Sequence, residues 1–473
     1  MPIVPFIIDN KDVVGNIAFD VINPSTGTLE HQCSGASIDD VNCIIASAER
    51  AFPTWSKTKP HVRRSILLRA GDIFEHRREE LMGYMCNEMG GDIKFAQTIY
   101  DIGLDLVRDT AGRISSIEGA VPALKEDGTS GIVYKRPYGV VLGIAPWNAP
   151  FILGTRAVVI AIAAGNAAIL KGSELAPKCF WAIGDVFREA GLPDGVLNVL
   201  FHRPQDASNV TAALIAHPAI KKVTFTGSTA VGKIIGALAA KYVKPVLLEL
   251  GGKASCVVLD DADLDKAAVA CTIGSFLNSG QICMSTERIV VQRAVVDAFR
   301  PILTAAVEKF YGSTTTPRIL VNASAVNRNK DLVSNAVFKG ANLLFGDLHN
   351  RESSDTRMRP IVVDNVTSEM RIFKTESFGP TVSLIVVDTD EEAIAVANDT
   401  EYGLTASVFS EDLRRGLRVA KQIESGAVHI NSMTVHDEAA LPHGGMKMSG
   451  FGRYGGSIGL DQFLRTKSIT WQD

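Results

Sequence analysis

The chain has 473 residues, with 48 basic against 52 acidic side chains, a formal charge of −4, 46% hydrophobic residues and 21% charged ones. That balance excludes a disordered or low-complexity protein and leaves no electrostatic footprint for nucleic acid or an anionic membrane, so a small molecule is the expected partner. The length exceeds one ordinary core and points to two or three domains.

The opening "MPIVPFIIDN" has no basic leader and meets Asp9 before an apolar stretch of signal-peptide length develops, so secretion is not expected. The longest apolar run, Ala157 to Ala164, falls short of the ~20 residues that cross a bilayer. Seven cysteines (33, 43, 86, 179, 256, 271 and 283) form no CxxC pair, and the nine histidines show no HExxH spacing. Free thiols, a reducing cytoplasmic setting and no metal are therefore expected.

Between 112 and 138, "GIVYKRPYG" reads as a short strand, and "KSITWQD" at the C-terminus reads likewise. The two can pair as an excursion from the main sheet, and an exposed excursion edge invites another subunit. From Gly139 to Gly252 the pattern is a βαβ rhythm with glycines at the joints. Strands are predicted at "VVLGIAP", "AAILKG", "VLNVLF", "KVTFTG" and "PVLLEL", with helices through 151–164, 177–190, 207–216 and 229–240. Continuous apolar strands indicate a parallel sheet covered on both faces. After Gly252 the rhythm restarts with "ASCVVLD", a helix through "LDKAAVACTIGSFL" and the strand "RIVVQ", and runs on to "SGAVHINS", which fits a second α/β domain.

Chemistry-bearing residues fall at the ends of these strands. In "IAPWNAPF", Asn148 is bracketed by Pro146 and Pro150, which suits either a fixed oxyanion donor or a turn asparagine. "AAILKGSE" ends a strand with Lys171 and Glu174, both able to bond ribose hydroxyls, although solvated surface charges are the commoner case. "GSTAVGKI" nearly spells a nucleoside-triphosphate loop, but Ile234 replaces the hydroxyl that would hold magnesium. A strand, a glycine turn and a helix start remain, a place for a pyrophosphate or a plain helix cap. "LLELGGK" sets Glu249 at a strand end, either facing water or buried for a purpose. "GFGRYG" at 450–455 satisfies GxGxxG, but no strand precedes it and the acidic ribose ligand cannot follow, so it is rejected.

In "FLNSGQICMSTERI", Cys283 follows an apolar run and is flanked by Gly280, Gln281 and Ser285. A buried cysteine is usually inert packing; this polar setting instead favours access and a lowered thiol pKa.

Together "APWNAPF", "AILKGSE", "TFTGSTAVGK", "LELGGK", "NSGQIC", "ESFGP" and "PHGGMKMSGFGR" resemble the aldehyde dehydrogenase superfamily, in its order and spacing, over nearly the whole chain. The resemblance implies that family's fold: a Rossmann-like parallel-sheet cofactor domain (1–111 and 139–250, with part of 437–460), a catalytic α/β domain (251–436), and bridging strands for oligomerisation (112–138 and 461–473). It also implies a homodimer or homotetramer. By the same resemblance Cys283 is the nucleophile, Glu249 the general base, Asn148 the oxyanion donor, and Lys171 the residue spanning cofactor and active site. Glu174 would hold the ribose, Gly227, Ser228 and Gly232 the pyrophosphate, and Ala145, Pro146, Trp147, Leu250 and Gly251 the rest of the cofactor cleft. Glu376 and Phe378 would position the nicotinamide ribose and ring. Glu249 implies a free acid product, since members that pass the acyl group to coenzyme A typically lack it.

Two departures stand out. "KGSE" replaces the family's usual Lys-Pro-Ser-Glu, and His443 stands where the family usually has phenylalanine. Glu174 would still repel a ribose phosphate, which predicts NAD over NADP. The run from "APWNAPF" to "KGSE", with "GQICMSTERI", most resembles the branch acting on aromatic aldehydes such as salicylaldehyde, vanillin or benzaldehyde. Ile282 and Met284 would suit a flat apolar ring. Arg156 either faces the pocket, where it could hold an ortho hydroxyl or a carboxylate and make succinate semialdehyde the runner-up, or faces outward or pairs with a helix neighbour and says nothing about substrate. His436 is a further candidate for the pocket wall. A cysteine hydrolase or a binding protein on the same fold are the rival readings.

Overall fold

The glycine-punctuated alternation between 139 and 252 folds, in a computed structural model that describes residues 3–312, 314–350 and 352–473, as strands Val140–Ile144, Ala167–Lys171, Leu197–Leu200, Ile220–Thr226 and Val246–Glu249. Helices Pro150–Ala163, Pro177–Glu189, Ala207–Ala216 and Thr229–Lys241 join them. Proline at the first turn of the first two helices fits because its missing N–H has no intrahelical partner to lose. Every residue of Pro150–Ala163 is buried, so this helix has no solvent face, and its one charged residue, Arg156, must find a partner inside.

These five strands are parallel. The sheet is not purely parallel, however. Phe6–Ile8 and Lys11–Val13 extend it antiparallel at one side, and Gly450–Phe451 pairs antiparallel with Val246–Glu249 at the other. The rejected "GFGRYG" is thus an edge strand closing the sheet beside Glu249.

The second sheet runs Asn342–Phe345, Ile361–Asp364, Thr381–Val387, Thr286–Gln292, Ala254–Val258, Thr405–Phe409, Ala427–Ile430, with all neighbours parallel except the first pair. Helix Leu264–Phe276 crosses over from Ala254–Val258, as its apolar periodicity predicts. Thr129–Pro137 and Leu464–Gln472 form a separate antiparallel ribbon. The strands Ile3–Val4, Ile17–Ile22 and Leu29–Gly35 make a small sheet that the hydrophobic pattern did not signal.

One connection positions the site. The chain leaves the first sheet at Glu249 and enters the second at Ala254, so the carboxyl edge of one sheet abuts the entry edge of the other. Among the described residues no helix is long and apolar enough to cross a membrane.

Candidate active site

Glu249 ends its strand between Thr226 and Gly450. It is 1% exposed, and neither carboxylate oxygen has a hydrogen-bond partner among the described residues. Removing a carboxylate from water without donors is costly, and such a group is normally retained for its chemistry. The glycines that follow make room: a Cβ at Gly251 would stand 2.5 Å from Glu376 Oε2, and one at Gly252 would overlap the Cys283 carbonyl.

The turn before Cys283 is held in an unusual shape. Asn278, Ser279 and Gly280 have φ of +51°, +58° and +70°, a left-handed run that costs strain for the two non-glycine residues. The Gln281 side chain staples it, donating to the carbonyls of Asn278 at 3.0 Å and Ile319 at 3.1 Å while accepting from Val321 N at 2.9 Å. Asn148 Nδ2 donates to Gln281 O at 3.0 Å, so the amide is fixed beside Cys283 with a second N–H to spare.

Cys283 is partly exposed and lies where two cavities meet. The first, about 280 Å³, is lined by Pro146, Trp147, Gly227, Ser228, Leu250 and Gly251, together with Glu249, Glu376 and Phe378. Trp147 and Phe378 meet edge to face at 6.1 Å. Ser228 caps the helix Thr229–Lys241 by accepting from Val231 N, and the helix start faces this cavity. Gly232 sits where any Cβ would strike Leu250. A helix start, a flat aromatic wall and a carboxylate fit a dinucleotide: pyrophosphate at the first, ring at the second, ribose hydroxyls at the third. Burial, then the charge of Glu287, pushes Glu376 up to about 7, while Gly252 N donates to its Oε1 at 2.8 Å.

The second cavity, about 210 Å³, is walled by Phe95, Ile99, Ile152, Leu153, Met433 and Val435. Ile282, Met284, Arg156 and His436 also line it, as does His443. Ala145, Lys171, Glu174 and Gly232 line neither cavity. Lys171 and Ala145 stay close through Ala145 N donating to Lys171 O at 3.3 Å. Burial lowers the Lys171 pKa, against the opposing pull of Glu174.

Two expectations are corrected. Arg156 is not free to hold a substrate: it is ion-paired with Asp437, 281 residues away, and both side chains are buried. The Cys283 thiol is not lowered but raised well above its ordinary value, by burial and then by the charge of Glu249. Its polar sequence neighbours do not offset an anionic carboxylate in a dry site.

Sequence reasoning missed two features. Lys253 and Glu287 form a buried ion pair, and Glu287 accepts from Ser377 N at 2.8 Å and Phe378 N at 3.0 Å, which holds the segment carrying Glu376. Asp437 sits in no motif, and only its position three-dimensionally opposite Arg156 reveals it. Among the described residues no cluster of three or more His, Cys, Asp or Glu is placed to hold a metal.

The sequence profile of the aldehyde dehydrogenase family matches residues 13–469. A vanillin dehydrogenase of Pseudomonas fluorescens is 42% identical over 466 residues, covering 96% of this chain and 94% of the relative. A salicylaldehyde dehydrogenase of Pseudomonas sp. (strain C18) is 36% identical over 476 residues, covering 98% and 96%. The crystal structure of a salicylaldehyde dehydrogenase from Pseudomonas putida G7, complexed with salicylaldehyde, superposes with a TM-score of 0.96 at 35% identity, covering 100% and 98%.

Proposed function

The chain belongs to the aldehyde dehydrogenase family and is an NAD(P)-dependent oxidoreductase, and from that premise we propose that it oxidises an aromatic aldehyde to the free carboxylic acid with NAD as acceptor. The observation carrying this reading is that Cys283 lines both cavities at once, with Glu249 beside it in the first. Cys283 Sγ, relieved of its proton, attacks the aldehyde carbon. The alkoxide that forms takes hydrogen bonds from Asn148 Nδ2 and the Cys283 backbone N–H. When bound, NAD supplies the oxidised ring that accepts the hydride. Glu249 then takes a proton from water, whose oxygen adds to the thioester carbon, and collapse expels the Cys283 thiolate with the acid. Because neither Glu249 oxygen has a hydrogen-bond partner within bonding distance, the same carboxylate is the base at hand for the thiol proton in the first step, a proton it releases to solvent before it takes the one from water.

Three observations support an aromatic substrate: the apolar walls of the second cavity, the commitment of Arg156 to Asp437, which removes the free cation a semialdehyde carboxylate would need, and the vanillin and salicylaldehyde relatives. Glu174 beside the strand end of Lys171 supports NAD over its phosphorylated form. The first sheet serves cofactor binding, the second carries the nucleophile, and the ribbon of Thr129–Pro137 with Leu464–Gln472 serves homo-oligomerisation. A cytoplasmic setting suits seven unpaired thiols.

The test is kcat/KM for vanillin, salicylaldehyde, benzaldehyde and succinate semialdehyde with each cofactor. Aromatic substrates should lead by roughly 10-fold or more, the scale of a pocket's apolar selectivity, and Cys283→Ala should form no NADH. Faster turnover of the semialdehyde would overturn the substrate, and equal efficiency with both cofactors the NAD preference.

A further inference from the structure

His443 occupies a position at which the first cavity's base and the second cavity's wall come together. Its Nε2 is 3.8 Å from Glu249 Oε1, and its Nδ1 is 3.8 Å from Asp437 Oδ1. The backbone is fixed by a reciprocal pair of bonds with Tyr454, His443 N to Tyr454 O and Tyr454 N to His443 O, both at 2.8 Å. The ring is 10% exposed. Among the ion pairs of the described residues, His443 is the one partner of Glu249.

We propose that His443 is a positioning and proton-relay residue for the hydrolytic half-reaction, acting through Glu249. This rests on the reading of Glu249 as the base. In hydrolysis the water O–H bond breaks, its oxygen joins the thioester carbon, and the proton passes to Glu249. Glu249 must shed that proton before the next turnover, and its oxygens meet no group within hydrogen-bond distance among the described residues, with the Cys283 thiol the weak donor standing against them. His443, with a hydrogen on Nδ1 toward Asp437, accepts the proton on Nε2. The imidazolium then faces the Asp437 carboxylate, as in other carboxylate–histidine relays, and loses its proton to solvent. A 3.8 Å gap is longer than a hydrogen bond, but such contacts commonly tighten once substrate is bound.

The groups facing the ring come from several elements. Glu249 and Asp437 stand at its two nitrogens, Arg156 is held by Asp437 with its guanidinium over the Tyr454 ring, and the rings of His429 and His436 lie 4.8 Å apart nearby, tilted by 54°. Arg156, ion-paired with Asp437 through one terminal nitrogen while its Nε has no hydrogen-bond partner, stays a cation, and Tyr454 has its pKa pushed up to about 12, mainly by burial. Neither can exchange protons near neutrality. Burial, and then the charges of His436 and His443, hold His429 down to about 4, so it stays neutral there. His436 is 36% exposed and paired with Glu438 at 2.9 Å.

The experiment follows formation and decay of the benzoyl-enzyme by rapid quench and intact-mass measurement, across pH, in the parent and in His443→Phe, His443→Gln and His443→Ala. Melting curves establish that each variant is folded. Decay should slow roughly 10-fold, the lower end of a general acid–base contribution, and by more than acyl-enzyme formation slows in the same variant. The pH dependence of decay that belongs to the imidazole should vanish, H443Q should remain slow, and added imidazole should restore decay in H443A. Unchanged decay in H443F and H443A, wild-type decay in H443Q, or no rescue by imidazole would each overturn the relay. Glu249→Gln separates the two readings. Fast acyl-enzyme decay in E249Q defeats the base itself, whereas a stalled E249Q beside a normal H443F defeats only the relay.

Discussion

Arg156 shows how one buried charge changes meaning with its partner. Both it and Asp437 have side chains at or below 5% exposure, so deleting either leaves the other uncompensated in a dry site. Arg156→Met should therefore cost about 3–5 kcal/mol in urea unfolding, and the double change with Asp437→Leu should recover much of that loss. A single-variant loss below about 1 kcal/mol, the scale of an exposed pair, would contradict the buried pairing. Glu376 carries a pH signature of opposite kind. Its folded-state pKa of about 7 lies above the unfolded carboxylate value, so the native state binds the extra proton between the two. Stability from this group is present below about 4.3 and is lost as pH rises through 7, in total about 3 kcal/mol. Glu376→Gln should thus gain on the parent between pH 5 and pH 8, as followed by denaturant unfolding; a constant difference would refute the shift. Glu249, Lys171 and Asn148 were legible because they sit at or just past a strand end with a glycine or proline within two residues, and Cys283 because a glycine turn precedes it. Arg156 was not, since nothing within "LGTRAVV" reveals a partner 281 residues away.

At the scale of elements, the turn Leu277–Gly280 decides where the thiol points. A Cβ at Gly280 would overlap the Gly379 carbonyl, and its φ of +70° is disfavoured for other residues. Gly280→Ala should lower stability by about 1–3 kcal/mol and cut Cys283 alkylation and aldehyde turnover together; full activity with native stability would show that the turn tolerates a side chain. Helix Thr229–Lys241 is similarly constrained, because Gly232 abuts Leu250. Gly232→Val should raise the KM for the cofactor more than it lowers kcat. These parallel strands and helices were readable from long apolar runs set off by glycines. The small sheet of Ile17–Ile22 and Leu29–Gly35 was not: "IAFDVI" alternates its less exposed positions Ile17, Phe19 and Val21 with exposed ones over only six residues, and its partner "LEHQCSG" is polar with no apolar alternation.

For the whole molecule, the ribbon leaves Tyr134 exposed on Thr129–Pro137, and Ile469 and Trp471 exposed on Leu464–Gln472, a strand buried only at Leu464. If this edge joins copies of the chain as proposed, Ile469→Glu with Trp471→Glu should lower the mass found by light scattering, and an unchanged mass would assign assembly elsewhere. The amino-acid sequence by itself determined the two α/β halves, the pairing-prone terminal strands, and the small set of polar residues placed at strand ends, because these depend on local periodicity and turn chemistry. Only the tertiary structure decided that Glu249 is sealed without donors beside Cys283, that Arg156 is spent on Asp437, and that His443 bridges two carboxylates. The reason is physical: the charge state and use of an ionisable group depend on burial and on neighbours within a few ångströms, and here those neighbours come from strands and loops far apart along the chain.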